Sequence, residues 1–202
     1  MTASEAVIVI AGSVEDLGAL ARLIRRLPAK FPVPLIAHVQ GLNNAALLQL
    51  KQKAQAASNQ LHVVTATTGD QIHPGCLFLA PVGQALIFAA PGLLQSMPGE
   101  GPHPHALPAD RLFESAARFH RSAVVGVVLG GKGRDGTQGL RMITEANGRR
   151  VVQSPCEATC PAMPFNAILG DDVEHTVMLD RMSEVLLYLV TSPLVASAEM
   201  TL

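Results

Sequence analysis

Short apolar runs alternate along the chain with longer segments whose apolar residues recur at helical spacing. The first run, Ala6–Ala11, reads AVIVIA and contains no polar residue, which is typical of a strand buried on both faces. After Gly12 and Ser13, the segment Glu15–Leu27 has an apolar stripe on one face and arginines on the other. The pattern therefore predicts a buried strand followed by an amphipathic helix that ends before Pro28.

The same alternation continues through most of the chain. The further predicted strands are Pro32–His38, Leu61–Ala66, Ala123–Leu129 and Arg150–Gln153. The further predicted helices are Asn43–Ala57, Ala109–His120, Gln138–Asn147 and Leu179–Val190. Strands that alternate with helices predict an α/β fold with a single doubly wound, mostly parallel sheet and helices on both faces. We expect one domain over residues 1–191 and a flexible C-terminal tail over residues 192–202.

Two segments interrupt this alternation. In His73–Gly92, turn signals at Pro74-Gly75 and Pro81-Val82-Gly83 flank the apolar runs CLFLA and QALIFAA, which predicts an inserted β-hairpin. The next segment, Gly92–Pro108, is rich in proline and glycine and is predicted to be an exposed loop. A third stretch, Glu157–Leu169, is interrupted by prolines and carries no predicted element.

Composition and charge narrow the classes of function. The formal net charge is −1 and aromatic residues make up 3% of the chain, so neither a basic surface nor a stacking platform for nucleic acid is expected. No apolar stretch of about 18 residues is present, so we expect no insertion into a membrane. An odd count of 3 cysteines without a secretory leader indicates a reducing compartment and a cytoplasmic location.

Polar residues with complementary chemistry lie at the ends of three predicted strands. Ser13 follows the first strand, His38 closes the second, and Asp135 lies just past the strand that ends at Leu129. In open α/β sheets, catalytic groups gather at the carboxyl ends of the strands, and a hydroxyl, an imidazole and a carboxylate there are the parts of a nucleophilic triad. Each residue also has an ordinary alternative: Ser13 as a helix cap, His38 as a satisfied core histidine and Asp135 as a turn residue.

The loop around Asp135 contains a second possible motif. In Leu129–Gly139, LGGKGRDGTQG, three glycines have the spacing G-x-G-x-x-G between a strand and a helix, as in dinucleotide-binding loops. However, Asp135 would place a carboxylate beside the pyrophosphate, and the next strand ends in Gln153 instead of an acidic residue. We therefore favour glycines that hold Asp135 in place over glycines that bind phosphate.

A metal site is a further alternative that the sequence does not favour. Cys156 and Cys160 are spaced C-x-x-x-C, which is not a usual zinc pair, and no second Cys/His pair stands near them. His103 and His105 lie in the predicted Pro-rich loop, where solvent-exposed histidines are the simpler explanation. No metal is expected.

Together, these motifs resemble those of the catalytic domain of the CheB-type chemotaxis protein-glutamate methylesterases, over about Val7 to Leu187. The family's G-A-S-T-G-G corresponds to AGSVED here and puts Ser13 at the position of the nucleophile. Its Q-H-M corresponds to AHV with His38, and its L-T-G-M-G-x-D-G-A-x-G corresponds to LGGKGRDGTQG with Asp135 as the triad carboxylate. Shorter resemblances are Pro74–Pro81, Asp110–Ser115 and Met163-Pro164.

The resemblance implies an enzyme that hydrolyses glutamyl γ-methyl esters on the cytoplasmic helices of chemoreceptors to glutamate and methanol. It also implies deamidation of receptor glutamines in some members, and neither metal nor cofactor. Backbone N–H groups at Val14, Lys132 and Gly133 would face the oxyanion. Most members carry a receiver domain before the catalytic domain. Only 6 residues precede Val7 here, so we expect either another mode of regulation or the isolated catalytic part of a longer protein.

Departures from the family motif leave a second function open. The family's Thr-Gly-Gly after the nucleophile is Val14-Glu15-Asp16 here, and its Met between glycines is Lys132. Two carboxylates beside a developing oxyanion are expected to raise the barrier unless they point into solvent. The alternative is therefore a catalytically weakened methylesterase-like module that binds a chemosensory partner.

Overall fold

The computed structural model describes residues 6–56, 61–99, 107–171 and 173–192. The strands are β1 (Val7–Ser13), β2 (Leu35–Gln40), β3 (His62–Thr65), β4 (Cys76–Leu79), β5 (Gln84–Ala90), β6 (Leu93–Pro98), β7 (Val124–Val128), β8 (Arg149–Gln153) and β9 (His175–Val177). The α-helices are α1 (Leu17–Arg26), α2 (Asn44–Gln55), α3 (Pro108–His120), α4 (Thr137–Glu145), α5 (Ala162–Gly170) and α6 (Leu179–Thr191). The predicted α/β fold is confirmed.

Seven strands form one sheet in the order β3-β4-β2-β1-β7-β8-β9, and every pair of neighbours is parallel. Strand β1 lies at the centre, with β2 on one side and β7 on the other, so the direction of winding reverses there. The carboxyl ends of strands beside such a switch point are where open α/β sheets bind ligands. Ser13, the last residue of β1, therefore lies at the switch point, where a ligand-binding or catalytic site is expected in this kind of sheet.

Alternating residues of β1 pack into different hydrophobic cores. Ile8 and Ile10 contact the layer formed by α1, α2 and α6, whereas Val7, Val9 and Ala11 contact the layer formed by α3, α4 and α5. All seven residues of β1 are buried, as the apolar run AVIVIA predicts. Helices on both faces of the sheet follow from a strand that has no polar side.

The inserted hairpin exists, but the structure corrects its strands. Strand β4 lies inside the main sheet, between β3 and β2, and the hairpin consists of β5 and β6. A run as apolar as CLFL is buried on both faces, which only an inner strand of a covered sheet provides. The prediction that Gly92–Pro108 is a loop is wrong for β6, and Gly92 with φ of +73° makes the hairpin turn. His103 and His105 lie outside the described residues.

Two elements near the C-terminal end have weak signals in the sequence. Helix α5 begins at Ala162, directly after Pro161, and contains Pro164 in its first turn, where a missing N–H costs no helical hydrogen bond. Strand β9 has only three residues and pairs with β8 at the edge of the sheet. The predicted tail falls almost entirely on residues 193–202, which lie outside the described residues.

Close packing between α3 and α4 gives a prediction about stability. A Cβ added at Gly139 would lie 2.5 Å from Cβ of Phe113 and 3.0 Å from Cα of Asp110, neither of which is the end of a flexible side chain. We expect Gly139→Ala to lower the free energy of unfolding by about 1–3 kcal/mol in urea denaturation. Gly18→Ala is the matched control, because nothing lies within 4 Å of its added Cβ in α1, and it should not destabilise. Equal stability of the two variants would contradict the tight contact.

Candidate active site

Ser13 is buried, with 2% of its surface exposed, and lies between β1 and a short 3-10 turn, Val14–Asp16. Ser13 occupies the N-cap position of this turn, as the helix-cap alternative predicts, but its side chain makes no capping hydrogen bond. Instead, the hydroxyl Oγ donates to Oε2 of Glu15 at 2.6 Å. The hydroxyl proton of Ser13 is thus held by a carboxylate two residues along the chain.

His38 lies on β2 directly opposite Ala11 of β1, and side chains on alternating positions put it on the same face of the sheet as Ser13. It is 8% exposed, and its buried Nδ1 has no hydrogen-bond partner among the described residues. It is therefore not a satisfied core histidine. Burial lowers the pKa of His38 to about 4, so the imidazole is neutral at physiological pH and can accept a proton.

Asp135 is 2% exposed and accepts hydrogen bonds from the first turn of α3. The N–H of Ala109 donates to both carboxylate oxygens, at 3.0 and 3.1 Å, and the N–H of Asp110 donates to Oδ1 at 3.1 Å. Burial raises the pKa of Asp135 to about 6, although the bond from Ala109 opposes this shift; the negative charge of Asp110 adds to it. Asp135 is therefore more than a turn residue, because it caps a helix from a distant position in the sequence.

The cap is reciprocal. The carboxylate of Asp110, in the first turn of α3, accepts a hydrogen bond from the N–H of Gly139, in the first turn of α4, at 2.7 Å. Asp135, in the loop before α4, thus caps α3, and Asp110, in the first turn of α3, caps α4. The arrangement fixes the loop before α4, and with it the position of Asp135, against α3.

The structure brings Ser13, His38 and Asp135 to the same end and the same face of the sheet. A Cβ added at Gly136 would lie 2.9 Å from Cβ of Ala11, the residue paired with His38, so the Asp135 turn covers this part of β1. Across the described ranges, no hydrogen bond joins the three side chains to one another. Catalytic hydrogen bonds are often long or misaligned without substrate, and Oδ2 of Asp135, which accepts from a single N–H, keeps capacity for another donor.

The backbone of the glycine-rich loop lies directly against Ser13. A Cβ added at Gly131 would be 2.7 Å from Oγ of Ser13, so a side chain there would collide with the hydroxyl. The loop is held by Gln153, whose Oε1 accepts from the N–H of Gly130 at 2.8 Å, and by Cys160, whose carbonyl accepts from Gly131 at 2.7 Å. Sequence reasoning missed both of these supports. The available signal for Gln153 was a polar residue that directly follows two apolar residues at the end of a strand.

Some backbone donors of the glycine-rich loop lack acceptors within the described part of the chain. The N–H groups of Lys132 and Gly133 have no acceptor among the residues that the structure describes. Gly133 has a φ of +79°, which glycine adopts without strain. Val14 follows Ser13 directly, and its side chain lies close to Gly41. These groups can stabilise negative charge on a carbonyl oxygen bound between Ser13 and the loop.

The two carboxylates after Ser13 point in different directions. Glu15 pairs through Oε1 with Nζ of Lys132 at 3.1 Å, and its pKa falls to about 2 because of the Ser13 hydrogen bond, its own backbone N–H and Lys132. Asp16 is buried and accepts from the N–H of Thr159 at 3.0 Å. Only Glu15 therefore contacts the hydroxyl.

The alternative sites lose support from the same geometry. The start of α4, where a dinucleotide phosphate would bind, is occupied by the carboxylate of Asp110. Within the described ranges, no three His, Cys, Asp or Glu side chains lie close enough together to hold a metal ion. None of the helices there is long and apolar enough to cross a membrane.

Comparison with known proteins agrees with the fold. A family model described as CheB methylesterase matches residues 8–186. The protein-glutamate methylesterase FrzG of Myxococcus xanthus is 30% identical over 182 residues, 89% of this chain and 53% of FrzG. A protein-glutamate methylesterase/protein-glutamine glutaminase of Pseudomonas fluorescens (strain Pf0-1) is 32% identical over 166 residues, 80% of this chain and 42% of the relative. The chain thus spans about half the length of these relatives.

A solved structure has the same fold. The crystal structure of the Thermotoga maritima CheB methylesterase catalytic domain superimposes with a TM-score of 0.77 and 21% sequence identity. The match covers 91% of this chain and 98% of that one. At this identity, the similarity establishes the architecture of the sheet and its helices.

Proposed function

The chain belongs to the CheB methylesterase family, and from this premise we propose that it is a serine hydrolase of glutamyl γ-methyl esters on chemoreceptor cytoplasmic helices. The observation that carries the proposal is the convergence of a buried serine, an uncommitted neutral histidine and a fixed carboxylate at the switch point of the sheet. Ser13 is the nucleophile, His38 the general base and Asp135 the group that orients it.

The proposed reaction has two stages. In the first, His38 takes the proton of Ser13 as Oγ attacks the ester carbonyl carbon, and the tetrahedral intermediate expels methoxide, which leaves as methanol with the proton from His38. In the second, His38 takes a proton from water, the resulting hydroxide attacks the acyl-enzyme, and Ser13 regains its proton as glutamate leaves. An amide substrate would follow the same course with ammonia as the leaving group.

Backbone groups stabilise the intermediates in this proposal. The negative charge on the carbonyl oxygen would be met by the N–H groups of Lys132, Gly133 and Val14, since the first two have no acceptor among the described residues. No cofactor enters these steps. The partner is a methyl-accepting chemoreceptor or a related chemosensory protein, and the reaction takes place in the cytoplasm.

A second function is favoured by one specific observation. The proton of Ser13 is bound by Glu15, and Nδ1 of His38 has no hydrogen-bond partner in the part of the chain that the structure describes, which is an inactive arrangement of these groups. In the alternative, the chain is a methylesterase-like module that binds a chemosensory partner with little or no turnover.

Methanol release separates the two functions. The protein is incubated with a methylated chemoreceptor cytoplasmic fragment, with and without prior treatment by a fluorophosphonate that modifies active serines, and binding to the fragment is measured in parallel. Release that the reagent removes supports the hydrolase. Binding without release supports the module, and the absence of both contradicts both proposals.

A further inference from the structure

Glu15 and Ser13 form a contact that the proposed reaction cannot use as it stands. A hydroxyl has a single proton, and that of Ser13 is donated to Oε2 of Glu15 at 2.6 Å, a short charge-assisted hydrogen bond. While this bond exists, the same proton cannot be donated to His38. Attack by Ser13 with His38 as the base therefore requires that the bond to Glu15 first break.

Glu15 is a poor replacement for the base. Its pKa is lowered to about 2, with the Ser13 hydrogen bond as the largest cause, so it has little tendency to take the proton fully. Its negative charge also lies beside Oγ of Ser13, close to the ester group whose carbonyl oxygen would become negative when Oγ attacks. Both effects oppose turnover while Glu15 stays in place.

Lys132 holds Glu15 over the serine. Its Nζ lies 3.1 Å from Oε1 of Glu15, so the two oxygens of one carboxylate are shared between the lysine of one loop and the serine of the other. Ser13 itself is 2% exposed. The side chains of Lys132 and Glu15 are 69% and 34% exposed, so the ion pair is screened by salt and is easily broken.

We propose that Glu15, held by Lys132, is a latch that keeps the Ser13 hydroxyl away from His38 until the ion pair opens. The inference rests on the proposed role of Ser13 as the nucleophile and adds a regulation of that site. An anionic group of the substrate that takes over Lys132 releases Glu15, so the latch favours ester groups that have a carboxylate close by. Salt releases it without selectivity.

The rate of Ser13 modification by a fluorophosphonate tests the latch without a known substrate. The hydroxyl oxygen attacks phosphorus, fluoride leaves, and the proton passes to His38. We expect Glu15→Gln to label about tenfold or more faster than the wild type, because loss of the charge weakens the hydrogen bond that competes with His38. Rising salt is expected to speed labelling of the wild type and to leave Glu15→Gln unchanged.

Controls separate the latch from general effects. Glu184→Gln removes a carboxylate from a more exposed ion pair with Arg181 on α6, which is also 3.1 Å long, and is expected to label like the wild type. Adding Ser13→Ala to Glu15→Gln should remove the label. Equal or slower labelling of Glu15→Gln, or no labelling of either protein, would overturn the latch.

The failure of the latch and of the proposed function can be told apart. Faster labelling of Glu15→Gln without methanol release from any receptor fragment would support the latch and oppose the methylesterase. If the wild type releases methanol and Glu15→Gln labels at the same rate as the wild type, the methylesterase would be supported and the latch overturned.

Discussion

Methanol release is expected to fall by about 10⁴-fold or more in the Ser13→Ala protein, because no other group can form the acyl-enzyme. The methyl side chain of alanine fits the buried position, so the fold and the affinity for a receptor fragment should stay unchanged. The release rate is measured at saturating substrate, and binding is measured by titration with the same fragment. If the chain is instead a binding module, the two proteins will be indistinguishable in both assays.

Ser154→Ala is the matched control for this substitution. Ser154 directly follows β8 and lies at the same carboxyl edge of the sheet as Ser13. It has no role in the proposed reaction, so its replacement is expected to change turnover by no more than a few fold. A comparable loss in both variants would mean that the edge of the sheet, and not the hydroxyl of Ser13, had been disturbed.

Asp135→Asn is expected to lower kcat by about 10³–10⁴-fold, because a neutral amide no longer stabilises the charged His38 or fixes its tautomer. Asparagine still accepts the hydrogen bonds of α3, so the cap is kept. Stability should rise by up to about 3 kcal/mol at pH 7, since the charged form of Asp135, whose pKa is raised from 3.8 to about 6, is no longer buried.

The size of this stability difference changes predictably with pH. A raised pKa means that Asp135 stabilises the fold when protonated and that this contribution is lost as the pH rises through about 6. The difference between Asp135→Asn and the wild type should therefore shrink below pH 6 and vanish near pH 4, as measured by chemical denaturation. Asp110→Asn, at the reciprocal cap, is the control and should leave kcat within a few fold. A loss of stability with unchanged kcat in Asp135→Asn would restrict Asp135 to capping.

The features that sequence predicts best are those set by neighbouring residues along the chain, such as the strands and the points where they end. The apolar run before Ser13 identifies β1 as a central strand, and strand ends alone bring Ser13, His38 and Asp135 to one edge of the sheet. The hairpin was misassigned because turn signals locate a turn without identifying the partner of the strand that enters it. The run CLFL has two flanking turns and pairs with β2 and β3, which are distant in sequence.

The contacts within the site depended on information that the sequence does not carry. Asp135 binds Ala109, 26 positions away, and only the packing of α3 against α4 brings them together. The sequence places two carboxylates, Glu15 and Asp16, after Ser13 and does not indicate which of them contacts the hydroxyl. In the structure, the course of the 3-10 turn places Glu15 in contact with the Ser13 hydroxyl and buries Asp16.

The contact between Asp16 and Gly130 makes the residues at these two positions depend on each other. A Cβ at Gly130 would lie 2.0 Å from Oδ2 of Asp16, which the N–H of Thr159 holds in place. The motif that the loops resemble has glycine at the position of Asp16 and threonine at that of Gly130. Starting from that motif, an aspartate acquired first would collide with the threonine, whereas a glycine acquired first leaves room. Asp16 in its present position therefore requires glycine at position 130, and a side chain at position 130 would force Asp16 to give up its contact with Thr159.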